Sequence, residues 1–414
     1  MVNILFMYIR NITTELLEAL TDSPALFLRG ARQVGKSTLA KNLPVEDFPA
    51  KYVTLDNATS LALASEDPTG FIAGQPTPVI IDEIQRVPEL LLAIKEAIDE
   101  DRKPGQYVLT GSANLLTLPL ISDSLAGRME IQTLWPLSQA ELHGNATDFV
   151  QTLFNRDFVH HIGTIEFDLP TLLITGGYPE AIARKTPRRR SAWFDSYLTS
   201  IVERDIRDIA RIQETATMLK LTRLLATRTA NQLNLSEVSR TMQVPNATIG
   251  RYMDLLEKVF HIHFIPAWAP NLGKRLVKAP KLYMVDCGLA AHLMGADETR
   301  LKNTPELSGH LVETFVVNEI LKSLTWSSVS ATAYHFRTHA GLEVDLVLEK
   351  PSGEVACVEI KGSAQVAPKN FRGLQALKKD LGDKFKTGVV LYGGKDIVPF
   401  GDDMFAVPIS VLWG

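Results

Sequence analysis

Leu26-Phe27-Leu28-Arg29-Gly30-Ala31-Arg32-Gln33-Val34-Gly35-Lys36-Ser37-Thr38-Leu39 is the stretch on which the reading of the whole chain turns. An apolar strand runs into G-x-x-x-x-G-K-S, and a helical pattern follows. A loop of this kind wraps a phosphate chain with backbone N–H groups, and glycine at both ends keeps a Cβ out of the approach. Lys36 can set its ammonium against the β- and γ-phosphates, and Ser37 can offer a hydroxyl to magnesium. The following helix points the positive end of its dipole at the same anion. The loop from Gly30 to Thr38 is therefore the candidate nucleotide cradle. A decorative glycine-rich turn is the plain alternative, and the strand before, the helix after and an acid-tipped strand downstream favour the cradle.

Working outward, four apolar strand candidates appear, Ala25–Leu28, Tyr52–Leu55, Pro78–Ile81 and Tyr107–Leu109. Helical patterns separate them, including Ser37–Leu43 and Pro88–Ile98. Strands alternating with helices predict a parallel sheet with helices on its faces. The third strand reads Val79-Ile80-Ile81-Asp82-Glu83-Ile84 and delivers two acids at its carboxyl end. Asp82 would hold the metal, and Glu83 would polarise the attacking water as general base; a strand that merely ends in polar residues is the plain alternative. The next strand ends in Leu109-Thr110-Gly111-Ser112-Ala113-Asn114, where Thr110, Ser112 or Asn114 could report hydrolysis; a turn of small residues is equally open. Arg128 could reach a γ-phosphate in cis or from a neighbouring subunit, with a plain surface arginine as the alternative.

Residues from about 10 to 145 resemble an AAA+ ATPase module. Arg32-Gln33-Val34-Gly35-Lys36-Ser37, Asp82-Glu83-Ile84-Gln85, Leu109-Thr110-Gly111-Ser112 and Ala126-Gly127-Arg128 together resemble one group, bacterial and archaeal ATPases whose C-terminal half is a domain of unassigned function. The resemblance implies an enzyme that hydrolyses ATP to ADP and phosphate with magnesium. It also implies a homo-oligomer wherever a neighbour's arginine completes the site.

At 414 residues the chain calls for more than one domain, and its 45% hydrophobic and 22% charged composition is that of a globular protein. A formal net charge of -4 excludes a global attraction to nucleic acid, so any such binding needs local basic patches. Cys287 and Cys357 lie far apart with no metal-ligand spacing, which fits buried gap-filling residues in a reducing cytoplasm. No run approaches the length of a membrane span. Four segments are expected: an AAA+ P-loop domain over 1–145, a helical lid or linker over 146–215, a winged helix-turn-helix over 216–290, and a restriction-endonuclease-like domain over 300–414. The expected class is thus α/β.

Gly176-Gly177-Tyr178-Pro179-Glu180-Ala181 is a turn into a helix and resembles a block of the same family. After it, Arg184-Lys185-Thr186-Pro187-Arg188-Arg189-Arg190 holds five cations in seven residues, either a phosphate-backbone contact or a solvated basic face. Ser191 to Ile209, with Glu203, Arg204, Asp205, Arg207 and Asp208, reads as a linker helix or an interdomain brace. Two helices follow, Leu235–Met242 and one opened by Asn246, the latter with Ile249, Met253, Leu256 and Phe260 on one side and Thr248, Arg251 and Tyr252 elsewhere. Strands His261–Ile265 and Leu282–Val285 flank a basic turn with Lys274, Arg275 and Lys278. This order describes a winged helix that either binds DNA or docks protein. His261 and His263 read as half-buried strand residues rather than metal ligands.

The last third follows an αβββαβ order. His310–Leu321 is an apolar helix, and Thr332–Arg337, Leu342–Leu348 and Glu354–Ile360 are strands. A helix over Phe371–Leu381 and a strand over Gly388–Tyr392 complete it. Acid on one strand and acid-x-Lys on the next is the pattern of the PD-(D/E)xK, or restriction-endonuclease-like, fold. Glu359 and Lys361 are two apart and so share a face. Asp345 can meet them there, with Glu313 approaching from the helix. Glu313, Asp345 and Glu359 are the candidate ligands of a second magnesium, and Lys361 would orient or deprotonate water. Gln375 is followed by Lys379 rather than Tyr, which weakens an exonuclease reading. The sequence thus predicts an ATPase, DNA-associated, that couples nucleotide state to a nuclease-like domain. The alternatives are a switch or scaffold that recruits a protein partner without cleavage, and a transcription regulator with the ATPase as sensor.

Overall fold

The computed structural model describes residues 8–43, 48–112, 127–158, 167–201, 215–271, 273, 275, 278–338 and 341–414. Asn114, Lys274 and the charged set Glu203, Arg204, Asp205, Arg207 and Asp208 lie outside the described residues. Two units emerge, one of residues 1–137 with 200–212 and 255–260, the other of 138–199, 213–254 and 261–414.

The first unit is built on β1 (Ala25–Arg29), β2 (Lys51–Thr54), β3 (Val79–Asp82), β4 (Tyr107–Gly111) and β5 (Met129–Thr133). All pair in parallel, in the order β2-β3-β4-β1-β5. The three central strands are apolar runs buried along almost their whole length, as a parallel sheet covered on both faces requires. Phe27, Leu55, Ile81, Ile84, Ile94 and Leu109 form their core. Each such side chain contributes roughly 1.5–3 kcal/mol on full burial. The edge strand β5 is half-exposed and reads Met-Glu-Ile-Gln-Thr, too polar to have stood out as a strand. The loop after β1 leads into the helix Lys36–Lys41, at the carboxyl end of the sheet where open α/β sheets bind ligands.

In the second unit, β6 (Asn231–Gln232), β7 (Ile262–Ile265) and β8 (Lys281–Met284) form a three-stranded antiparallel sheet in the order β6-β8-β7. Helices Thr215–Ala226, Leu235–Met242 and Asn246–Lys258 precede or interleave these strands. Asn246 opens its helix as expected, and Ile249, Met253 and Leu256 are buried. Tyr252 is buried with them, so Thr248 and Arg251 remain as the accessible pair. The expected basic turn is corrected at Arg275. This side chain is only 9% exposed, donates to the Ala269 carbonyl at 2.6 Å and pairs with Glu349. Its guanidinium also stacks over Trp268 and Tyr334, so it is an internal anchor rather than a phosphate contact.

Six strands make the second sheet: β9 (Thr332–Arg337), β10 (Glu343–Glu349), β11 (Val355–Lys361), β12 (Phe385–Tyr392), β13 (Val398–Pro399) and β14 (Met404–Pro408). Their order is β13-β14-β12-β11-β10-β9. Strands β9, β10 and β11 pair antiparallel, whereas β11, β12 and β14 run parallel. The preceding helix is longer than its apolar stretch, Pro305–Ser323, because Pro305 suits a first helical turn. A short helix, Glu298–Asn303, comes just before it. The glycine-rich block near 176 is explained by packing. Gly176 has φ +69°, and a Cβ there would lie 2.3 Å from an Asp286 carboxylate oxygen. The same carboxylate accepts from the Gly177 N–H at 2.6 Å and caps the helix Cys287–Leu293. Cys287 and Cys357 are both free and buried, as expected.

Candidate functional site

The P-loop closes on itself. Lys36 is 4% exposed and donates to the carbonyls of Gly30 at 2.9 Å and Ala31 at 2.8 Å, so its ammonium lies inside the ring that a phosphate chain would enter. Gly30 is needed for a reason internal to the protein, since an added Cβ would meet the Leu134 carbonyl oxygen at 2.2 Å. Gln33, at φ +62°, and Gly35, at φ +101°, supply the left-handed turns that aim backbone N–H groups inward. Ala31 and Val34 are buried beneath the loop, while Arg32 is half-buried and Thr38 exposed at the start of the helix. Arg10 is a part of this site that the sequence did not single out. Its guanidinium donates to the Val34 carbonyl at 2.9 Å and to the Trp135 carbonyl at 2.7 Å, bracing the loop from below.

Asp82, at the end of β3, is 3% exposed and accepts three hydroxyls. Ser37 donates at 2.9 Å, Tyr52 at 2.5 Å, and Thr110 from the adjacent β4. Burial first, and the bond to Asp82 second, push the Tyr52 phenol far above its ordinary value, so Tyr52 stays a donor. Ser37 and Asp82 present hard oxygens to one point beside the loop, a donor set that fits magnesium.

Glu83 adopts a left-handed backbone, φ +62°, an arrangement costing a non-glycine residue on the order of 1 kcal/mol and one that clusters at working sites. Its N–H donates to Thr110 Oγ1 at 3.3 Å. Its carboxylate accepts from Gln85 Nε2, which also donates to Ser112 Oγ at 3.1 Å. Gln85 thereby ties the expected base to the expected reporter residue. Arg128 lies elsewhere. The Ala25 N–H donates to its carbonyl and it precedes Met129, which pairs with Ala25 at the amino end of β1. Its side chain forms an ion pair with Asp99 at 2.5 Å. The loop leaves the other end of the same strand, so the cis half of the Arg128 expectation does not hold in this fold.

In the second unit the structure brings Glu313, Asp345, Glu359 and Lys361 to one cleft of about 190 Å³, together with Glu343 and Lys281. The β10–β11 register sets Leu346 against Val358, which carries Asp345 alongside Glu359. Lys361 pairs with Glu359 at 2.8 Å, and Asp345 accepts the Ile360 N–H at 2.9 Å. Lys281, from β8, was not anticipated. It is 2% exposed and its ammonium lies 2.8 Å from Glu313, 2.7 Å from Glu343 and 3.3 Å from Asp345. Burial pushes the Glu313 carboxyl up to about 7 and the Glu359 carboxyl up to about 8. With two ammonium groups already spread over its carboxylates, this set does not fit a divalent cation in the arrangement seen, and the expected second magnesium is not supported by the geometry.

The parallel order β2-β3-β4-β1-β5, the loop after β1 and the acid at the end of β3 are typical of P-loop ATPases, and residues 22–143 match the family model of the AAA domain. Residues 166–300 and 308–412 match two domains of unknown function, DUF8612 and DUF4143. Uncharacterized proteins of Mycobacterium bovis and Mycobacterium tuberculosis are each 29% identical over 408 residues, covering 97% of this chain and 84% of theirs. The solved Walker-type ATPase of Pyrococcus abyssi is similar at 14% identity with a TM-score of 0.42, over 69% of this chain and 96% of that one. Among the described residues no helix is long and apolar enough to cross a membrane.

Proposed function

We propose that this chain binds ATP with magnesium at Gly30–Thr38 and hydrolyses it to ADP and phosphate. The observation that carries the reading is the hydrogen bond from Ser37 to Asp82 beside the Lys36 ring, with Glu83 as the next residue along. Lys36 exchanges its two loop carbonyls for phosphate oxygens, and the loop N–H groups hold the remaining charge. Ser37 and Asp82 would hold magnesium, which when bound neutralises charge on the β- and γ-phosphates. Glu83, once released from Gln85, takes a proton from the attacking water. Ser112, freed by the same step, is left facing the site of hydrolysis. Arg128 could reach this site only from a second copy, and an arginine finger supplied that way would require a homo-oligomer. Phosphate release with wild type, Lys36→Ala and Glu83→Gln tests this: the reading requires activity in the first and its loss in both variants.

The helix and strand order around β6, β7 and β8 supports a winged helix, and the order from Pro305 to Pro408 supports a restriction-endonuclease-like domain. For DNA association the supporting observation is that Lys185, Arg188 and Arg189 are exposed at the start of the helix Pro187–Ser200, where cations oppose the helix dipole. A mobility shift that weakens steeply with salt tests it. The scaffold reading of the C-terminal domain is favoured over cleavage by one observation, the Lys281 ammonium among the acids that would otherwise hold a metal.

A further inference from the structure

We propose that the Lys281 ammonium takes the place of the divalent cation in the C-terminal carboxylate cluster, so that this site is a metal-free ion network. Glu313 comes from the helix Pro305–Ser323, Glu343 and Asp345 from β10, and Lys281 from β8 of the three-stranded sheet. Three carboxylates from two elements converge within 3.3 Å of one nitrogen, the convergence a metal ligand set would need. The geometry around the cluster is fixed. Tyr283, two residues along β8, donates to Glu313 at 2.7 Å, and Asp345 is also held by the Ile360 N–H. The Lys281 backbone is held on both sides by pairing with Gln232 and Ile265, and its ammonium by the three carboxylates.

Two further observations point the same way. The segment before β8 is stitched to the edge of the six-stranded sheet, with the Trp268 N–H donating to the His335 carbonyl at 2.6 Å and the His335 N–H to the Pro266 carbonyl at 2.9 Å. The fourth acid, Glu359, pairs through Oε1 with its own cation, Lys361, at 2.8 Å, while its Oε2 is buried with no hydrogen-bond partner. An ammonium that is covalently part of the fold needs no entry path and cannot be chelated. The consequence is a nuclease-like sheet whose acids serve to dock β8 rather than to activate water. The inference depends on the restriction-endonuclease-like reading only for the place where a metal would sit, and it is independent of the P-loop.

Manganese binding to the full chain without nucleotide, followed by electron paramagnetic resonance, tests it. Wild type is expected to show no stoichiometric site at the cluster. Lys281→Met is expected to gain one manganese site per chain, about tenfold or more tighter than any in wild type, and to lose it again when Glu343→Gln is added. A folded Lys281→Met that gains no site would overturn the proposal. The wild-type arm stands even if that variant fails to fold: a stoichiometric site in wild type that survives Asp82→Asn and disappears in Glu343→Gln would overturn it equally. Phosphate release from ATP, measured on the same wild-type preparation, separates failure of this proposal from failure of the ATPase reading.

Discussion

Ser37 Oγ donates to Asp82 Oδ1 at 2.9 Å, joining residues 45 positions apart. The hydroxyl and the carboxylate are thus already oriented toward one point. Asp82→Ala is expected to weaken nucleotide affinity about 10–100-fold when magnesium is present and to change it little in EDTA. Fluorescent ADP titrated under both conditions checks this. An equal loss with and without magnesium would make Asp82 a brace for β3 instead.

The tie from Gln85 to Glu83 and Ser112 implies two opposite effects. Glu83→Gln should retain ATP and slow hydrolysis by about 10²–10⁴, the usual contribution of a general base. Gln85→Ala, by freeing Glu83, should raise basal hydrolysis by a few-fold at unchanged affinity. Single-turnover assays with radiolabelled ATP read both, and normal turnover in Glu83→Gln would remove its assigned role.

Gly30 faces the Leu134 carbonyl so closely that an added Cβ would sit 2.2 Å from its oxygen. Gly30→Ala should therefore displace the loop from the segment after β5, costing on the order of 2 kcal/mol and abolishing nucleotide binding. Denaturant melts paired with an ADP titration would show it; a stable variant that binds normally contradicts the geometry.

Burial holds the His261 imidazole down at about 4, and its ring stacks on Tyr197 at 5.7 Å. The unfolded chain, with histidine near 6.5, then binds more protons between these values. Stability is whole above about pH 6.5 and falls as the pH drops toward 4, by on the order of 3 kcal/mol for this residue. His261→Phe should flatten that decline by about one proton. Urea midpoints from pH 7 to 4.5 compare the two chains, and parallel slopes would refute the assignment.

The legible parts of the chain were those whose chemistry is local. The loop Gly30–Ser37 and the pair Asp82-Glu83 are each contiguous, and the strands carrying them are apolar runs that a buried parallel sheet demands. Glu359 and Lys361 were legible because strand alternation puts them on one face. What escaped depends on distant partners. Arg10 meets Val34 and Trp135, and Lys281 meets residues 32 to 64 positions later, so neither leaves a mark in its own neighbourhood. Arg275 read as a surface cation because Glu349, which buries it, lies 74 positions away. Strand β5 was missed because it is polar, β6 and β13 because each has only two residues, and the mostly buried β14 was missed as well.

Nucleotide binding at the loop around Lys36 is the property on which the proposed hydrolysis depends. Isothermal titration of the full chain with ATP and magnesium should give one binding event per chain, and Lys36→Ala should abolish the heat or weaken it at least about tenfold. Absence of heat in wild type, or an unchanged isotherm in Lys36→Ala, would contradict it.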